Sequence, residues 1–196
     1  MFDSMNRTEK AIALVTAPQI TPLYFFIALL AKELPSNLMV LGIAFVFAAL
    51  IQLVSLVIYS KRTSADFFLK ERSKRHVAFI TGFASYFVGL LLLVAVRAPF
   101  IVSALMMSYF VNTVVAFAIN RFDKVSIHVW AISGPAVAIL YQYGIGAFAI
   151  MVAIAVLVGV SRIAAKAHTG WQVISAILVS VPLTVGVIYY LAPLII

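Results

Sequence analysis

The residues able to do chemistry gather in three short clusters. The first, within residues 66–76, contains Lys70-Glu71-Arg72-Ser73-Lys74-Arg75-His76. The second is Arg121-Phe122-Asp123-Lys124-Val125-Ser126-Ile127-His128, and the third runs from Ser161-Arg162 to His168-Thr169-Gly170-Trp171-Gln172. Each mixes bases with hydrogen-bond donors, and His128 and His168 each fall close to a predicted helix end. Such a set suits a phosphate group: Arg forks to its oxygens, Lys adds a point charge, and His can attack or move protons. Metal chemistry is not expected. The chain has no cysteine and six acids, and none of those acids pairs with a histidine at ligand spacing. No cofactor is expected either.

The elements that must carry these clusters are set by composition. Of 196 residues, 65% are hydrophobic and 10% charged, and the mean hydropathy is +1.15. A water-soluble domain of this size cannot hide so much apolar surface. Soluble enzymes, disordered chains and disulfide-stapled modules are thereby excluded, and transmembrane barrels alternate too much polarity to fit. Charge-free stretches cover 11–31, 34–60, 77–96, 98–120, 125–161 and 167–196. A span needs about 20 apolar residues, so the fifth stretch reads as two short helices turning at Tyr143-Gly144-Ile145-Gly146. The predicted fold is an all-α, polytopic transmembrane helical bundle of six to seven spans. It forms one integral-membrane domain over 1–196, with spans near 11–31, 36–60, 77–96, 99–119, 125–142, 145–161 and 172–194. Pro18 and Pro22 predict a kink or a re-entrant course in the first.

With seven spans, even numbers of crossings return all three clusters to one face. That face carries twelve of the fourteen Lys and Arg, and the opposite face only Lys32 and Arg97. The positive-inside rule makes the rich face cytoplasmic in a multi-pass protein of the cell membrane. Anionic lipid headgroups then account for the net charge of +8 without a nucleic-acid partner. Several residues have plainer readings. Lys61 and Arg62 read as membrane anchors, His76 as interfacial, and Tyr59, Tyr143, Trp171, Tyr189 and Tyr190 as belt residues. Gly42, Gly82, Gly89, Gly134 and Gly159 read as close helix contacts. Asp123 reads as a local partner of Lys124 or Arg121 rather than a catalytic acid.

The segment Ser161-Arg162-Ile163-Ala164-Ala165-Lys166-Ala167-His168 resembles the S-R-x5-H signature of the type 2 phosphatidic acid phosphatase superfamily. Val125-Ser126-Ile127-His128 is similar to that superfamily's P-S-G-H motif, keeping the Ser and His but not the Pro and Gly. The first motif, K-x6-R-P, is not met, since Lys70 and Arg75 are five apart and no Pro follows. A small, divergent membrane branch looks closer. Its charged first string, its K-I-S-x-H and its K-A-H-T-x-x-Q are matched by Lys70-Glu71-Arg72, by Lys124-Val125-Ser126-Ile127-His128 and by Lys166-Ala167-His168-Thr169-Gly170-Trp171-Gln172. The resemblance covers about residues 66–173.

That resemblance implies metal-independent hydrolysis of a phosphoester through a phosphohistidine. His168 is then the nucleophile and His128 the acid for the leaving oxygen. Arg162 and Ser126 hold phosphate oxygens, with Lys124 and with Lys70, Arg72 or Arg75 completing the cradle. Gln172 stands where the wider superfamily has an Asp. Its carbonyl can still fix the imidazole tautomer, but it supplies no negative charge. The expected partners are the lipid bilayer and a phosphorylated lipid or isoprenoid (di)phosphate. The alternative is a membrane protein without catalysis: a small anion transporter, or a degenerate homologue that binds phosphorylated lipid. A transporter carries its polar groups at mid-membrane, and Gln52, Asn112 and Thr113 are the mid-span candidates.

Overall fold

The computed structural model describes residues 7–63 and 71–196. Among them every regular element is a helix. Helices α1 (Arg7–Val15) and α2 (Thr21–Leu30) part at Pro18, which has no N–H with which to continue α1. Thr16 Oγ1 closes α1 by donating to the Ile12 carbonyl at 2.6 Å, and Pro22 sits in the first turn of α2, where a missing N–H costs nothing. A 3-10 turn at Ala31–Asn37 follows, holding Lys32, Glu33 and Pro35. Ser36 Oγ and Asn37 Nδ2 both donate to the Glu33 carbonyl, at 2.9 and 3.0 Å. The chain continues as α3 (Leu38–Phe45), a π turn at Val46–Leu50 and α4 (Ile51–Thr63).

Helices α5 (His76–Ala95) and α6 (Phe100–Asn120) form a hairpin around Pro99. Helices α7 (Ile127–Ser133) and α8 (Ala136–Tyr143) are short, interrupted by Gly134-Pro135. A second hairpin joins α9 (Ile145–Ala164) to α10 (Gly170–Gly186), which runs through a π turn at Val187–Leu191 into α11 (Ala192–Ile195).

Among the described residues, five helical stretches are long and apolar enough to cross a membrane: Thr21–Thr63, Arg72–Ala95, Phe100–Asn120, Ile145–Ala164 and Gly170–Ile195. The expectation of six to seven spans differs from this at two places. The predicted spans 36–60 and the second half of 11–31 lie on one helical stretch, bent at Glu33 where φ −127° and ψ 25° leave helical geometry. The predicted span 125–142 is two helices of 7 and 8 residues. Residues 128–139 are all buried, and an interrupted backbone is tolerated at membrane depth only where protein surrounds it.

Phe83, Phe87 and Leu91 on α5, Leu157 and Val160 on α9, and Leu178 on α10 are large, apolar and exposed. Lipid tails, not water, are the solvent that matches them. Helix α6 lies at the centre, with residues 101–109 buried without interruption. Lipid is as apolar as Leu, so helices in it are held by close packing rather than by hydrophobic gain. Glycines supply that approach. A Cβ on Gly89 would stand 2.7 Å from Phe47 Cβ, and one on Gly159 2.5 Å from Val173 Cγ1. Gly82 and Gly134 have side-chain neighbours at 3.3 and 3.2 Å. Gly42 is exposed with nothing within 4 Å, so the close contact expected there is absent.

Candidate functional site

The start of α5 and the ends of α6 and α9 meet the start of α10 at one end of the bundle. Arg72 Nη1 donates to the Phe122 carbonyl at 2.8 Å, and Asn120 Nδ2 returns a bond to the Arg72 carbonyl at 3.3 Å. The loop between α6 and α7 is held against α10 by Ser126 N–H donating to the Gln172 carbonyl at 3.2 Å.

The α9–α10 turn is wound tightly. Lys166 takes a left-handed φ of 52°, which lets the N–H groups of Ala167 and His168 both reach the Arg162 carbonyl, at 3.0 and 3.3 Å. Satisfying one orphan helix carbonyl twice folds the chain back on itself. Thr169 then caps α10 in a reciprocal box: its hydroxyl accepts from Gln172 N–H and Gln172 Oε1 accepts from Thr169 N–H, each at 3.3 Å. Arg162 and His168 are in consequence both turned inward, 4% and 8% exposed.

A cavity of about 140 Å³ opens at this end. Arg75, Lys124, His128, Arg162 and His168 all line it. Arg75 and His128 are as deeply buried as Arg162, whereas Lys124 is half-buried. Arg75 Nη1 donates to the Val125 carbonyl at 3.2 Å, and Lys124 Nζ to the Ala167 carbonyl at 3.0 Å. Each base is thus tied by a neighbouring loop while facing the same space. Its inner wall, formed by Gln52, Phe79, Gly82, Tyr86 and Thr113, reaches between α4, α5 and α6. A second, more apolar cavity of about 70 Å³ shares Phe79, Tyr86, Thr113 and Ile127 with it and extends to Trp130 and Thr184.

His168 Nδ1 lies 3.1 Å from Gln172 Oε1. Gln172 Nε2 donates in turn to Asp123 Oδ1 at 3.1 Å, and Lys124 N–H donates to the same oxygen at 2.6 Å. Amide orientation is normally a choice between two flips. Here both neighbours are one-way: Thr169 N–H only donates and the Asp123 carboxylate only accepts. The oxygen of Gln172 therefore faces His168, the Nδ1 atom carries the proton, and the Nε2 lone pair is left available. Burial first, then the positive charges of Lys124, Arg75 and Arg162, pushes the His168 imidazole down from 6.5 to about 3, against an upward pull from Gln172. It is neutral at physiological pH.

The remaining sequence-predicted residues sit elsewhere. Arg72 is exposed and anchors the loop at Phe122 instead of lining the cavity. Ser126 is fully buried, and among the described residues its Oγ has no hydrogen-bond partner. Lys70 lies outside the described residues. Gln172 is half-buried behind His168 and off the cavity wall. His76 is exposed, with Nδ1 2.7 Å from the Ser73 carbonyl. Asp123 meets the Lys124 backbone and Gln172, while Arg121 lies 5.3 Å from the Phe117 ring centroid. The expected role of Asp123 as a purely local partner missed its contact 49 positions away. Gln52 and Thr113, two of the mid-span polar candidates for a transporter, belong to the wall of the same cavity as the histidines. No protein-family model, no curated protein and no solved structure matches this chain.

Proposed function

We propose that the protein is a membrane phosphatase of the type 2 phosphatidic acid phosphatase kind, which removes phosphate from a lipid phosphate or isoprenoid diphosphate at the cytoplasmic leaflet. The observation that carries this reading is the convergence of Arg75, Lys124, His128, Arg162 and His168 on one cavity. Three guanidinium or ammonium groups and two imidazoles, brought from three separate segments, match a phosphoryl group in charge and in hydrogen-bonding capacity.

In the first step the Nε2 lone pair of His168 attacks phosphorus and the bond from phosphorus to the ester oxygen breaks. His128, which takes up a proton when the anionic substrate enters, gives it to that departing oxygen, which leaves as an alcohol or, from a diphosphate, as the monophosphate. In the second step water attacks the phosphohistidine, its proton passes to His128, and the phosphorus–nitrogen bond breaks to restore His168 and release inorganic phosphate. Arg162, Arg75 and Lys124 hold the equatorial oxygens throughout. Dividing one displacement into two is what the buried, tautomer-fixed imidazole contributes.

The charge-free stretches support a bundle of six to seven crossings, and the bias of Lys and Arg supports a cavity facing the cytoplasm. The second reading is an anion transporter or a non-hydrolysing binding protein, favoured by the continuation of the cavity inward to Gln52 and Thr113. Phosphate release from a panel of lipid phosphates and isoprenoid diphosphates, run with and without a chelator, separates the two. Chelator-insensitive release on at least one of them is expected, and no release on any overturns the phosphatase.

A further inference from the structure

We infer that Asp123 is a positioning residue that acts on His168 through Gln172. The inference rests on the phosphohistidine reading for its catalytic consequence, and on the hydrogen-bond geometry for its structural content. Asp123 Oδ1 accepts from Gln172 Nε2 at 3.1 Å, and Gln172 Oε1 stands 3.1 Å from His168 Nδ1. The carboxylate is itself fixed by Lys124 N–H at 2.6 Å.

An amide next to an imidazole can stabilise either tautomer, depending on which end it presents. Turned over, Gln172 offers N–H groups to Nδ1, moves the imidazole proton to Nε2 and removes the lone pair from the cavity. The Asp123 carboxylate forbids that turn, because it can only accept and so demands the nitrogen end of the amide. It also places a negative charge two hydrogen bonds from an imidazole that becomes positive as the bond to phosphorus forms. An Asp in direct contact would supply that charge at once. In this chain the same service is divided between an amide at the start of α10 and a carboxylate from the loop before α7. That loop also carries Lys124 into the cavity and leads into His128, so the contact ties the nucleophile to the segment bearing the acid.

One consequence runs against simple reasoning from position 172. Gln172→Asp or Gln172→Glu alone brings a second carboxylate against Asp123 with no proton between them. It slows the reaction instead of improving it. The exchange variant Asp123→Asn/Gln172→Glu keeps one carboxylate and one amide and returns the hydrogen-bond pattern with the partners swapped.

The experiment has two arms. In the first, the full-length protein carrying ¹⁵N-labelled histidine is studied by NMR in detergent micelles, where imidazole nitrogen shifts report the tautomer without any turnover. Wild type is expected to hold His168 in the Nδ1–H form, Asp123→Leu to give a mixture, and Asp123→Asn/Gln172→Glu to return to one form. In the second, kcat and KM for a lipid phosphate are measured for the same set. Asp123→Leu is expected to lower kcat by about 10- to 100-fold, the usual cost of removing an outer partner of a functional histidine, with KM little changed. Asp123→Asn falls between, and the exchange variant recovers most of the loss. An unchanged tautomer and unchanged kcat in Asp123→Leu overturn the inference. So does a loss in Asp123→Leu, with melting temperature and KM affected together, that the exchange variant does not restore, since that pattern marks a structural tie alone. If wild type releases no phosphate, the phosphatase reading fails by itself, and the tautomer arm still decides the role of Asp123.

Discussion

Around Asn112, buried at the centre of the bundle, the polar groups answer one another. Its Nδ2 donates to the Ser108 carbonyl at 2.9 Å and to Thr184 Oγ1 at 3.0 Å, and its Oδ1 accepts from Trp130 Nε1 at 2.8 Å. Ser133 and Ser180 hydroxyls meet at 2.7 Å one turn away. These bonds join α6, α7 and α10 and leave little for a ligand. Around His168 the Arg75, His128 and Arg162 side chains are as deeply buried and Lys124 half-buried, yet all five line a cavity, and Arg75, Lys124 and His168 are steadied from behind by backbone carbonyls and by Gln172. Buried like charges repel and lose hydration, so the second arrangement opposes folding. The helices that the first holds together are what keep it in place. A polar knot that closes on itself is scaffold, and one that closes around a space is a site.

That contrast breaks if the two regions respond alike to substitution. The largest effect is expected at His168, where Ala removes the covalent route and lowers phosphate release by about 10⁴-fold or more. Its melting temperature should stay at or above that of wild type, because one buried group facing positive charges has gone; a variant that melts early instead places His168 with the scaffold. His128→Ala comes next. On an alkyl phosphate the loss is about 10²- to 10⁴-fold, the range for general acid catalysis, while an aryl phosphate, whose oxygen leaves without help, loses much less. Equal losses on both substrates would remove the acid role.

Smaller effects sharpen the comparison. Sulfate keeps its charge over the accessible pH range, so the pH dependence of its binding reports on the protein. The free His168 imidazole sits at about 3, and a bound anion raises it. Binding then takes up a proton between the two values, so sulfate affinity should strengthen as pH falls below neutral, by at most about tenfold per unit for one proton. Calorimetric titration at several pH values reads this, and His168→Ala should flatten the slope. Asn112→Ala is the smallest. It leaves the Trp130 N–H without its acceptor and should cost about 1–2 kcal/mol of stability, near the upper end for hydrogen bonds between membrane helices, with KM for the lipid phosphate unchanged. A shift in KM there would make the knot part of the site.

Some of this was legible before any coordinates. The apolar runs place α5, α6 and α9, and α10 with its continuation to Ile195, to within a few residues, because lipid allows charges only at helix ends. The spacing of Thr169 and Gln172 is a capping-box signature that marks the start of α10 at Gly170, a signal that a span drawn from 172 leaves unused. The meeting of His168 and Gln172 follows from four positions of separation, although His168 precedes the cap instead of opening the helix. Other features depend on placement that no local pattern encodes. The contact between Gln172 and Asp123 spans 49 positions and exists only because the loop before α7 docks on the start of α10. Arg72 and Arg75 look alike in sequence, yet a 3-10 turn sends one to the surface and the other inward. Gly134-Pro135 is a turn signal that the single span 125–142 passes over, and nothing local shows that residues 128–139 are wrapped by protein. Hydropathy alone cannot tell a helix buried in protein from one buried in lipid.

A phosphatase of the proposed kind passes a phosphoryl group onto His168 in the space between these helices. Rapid mixing of the purified protein with a ³²P-labelled lipid phosphate, followed by alkaline denaturation within milliseconds to seconds, tests it most directly. The account predicts label bound to the protein that survives alkali, is released by mild acid, forms in the presence of a chelator and is absent from His168→Ala. Phosphate released by wild type with no such intermediate at any time, or an intermediate of the same yield in His168→Ala, would contradict it.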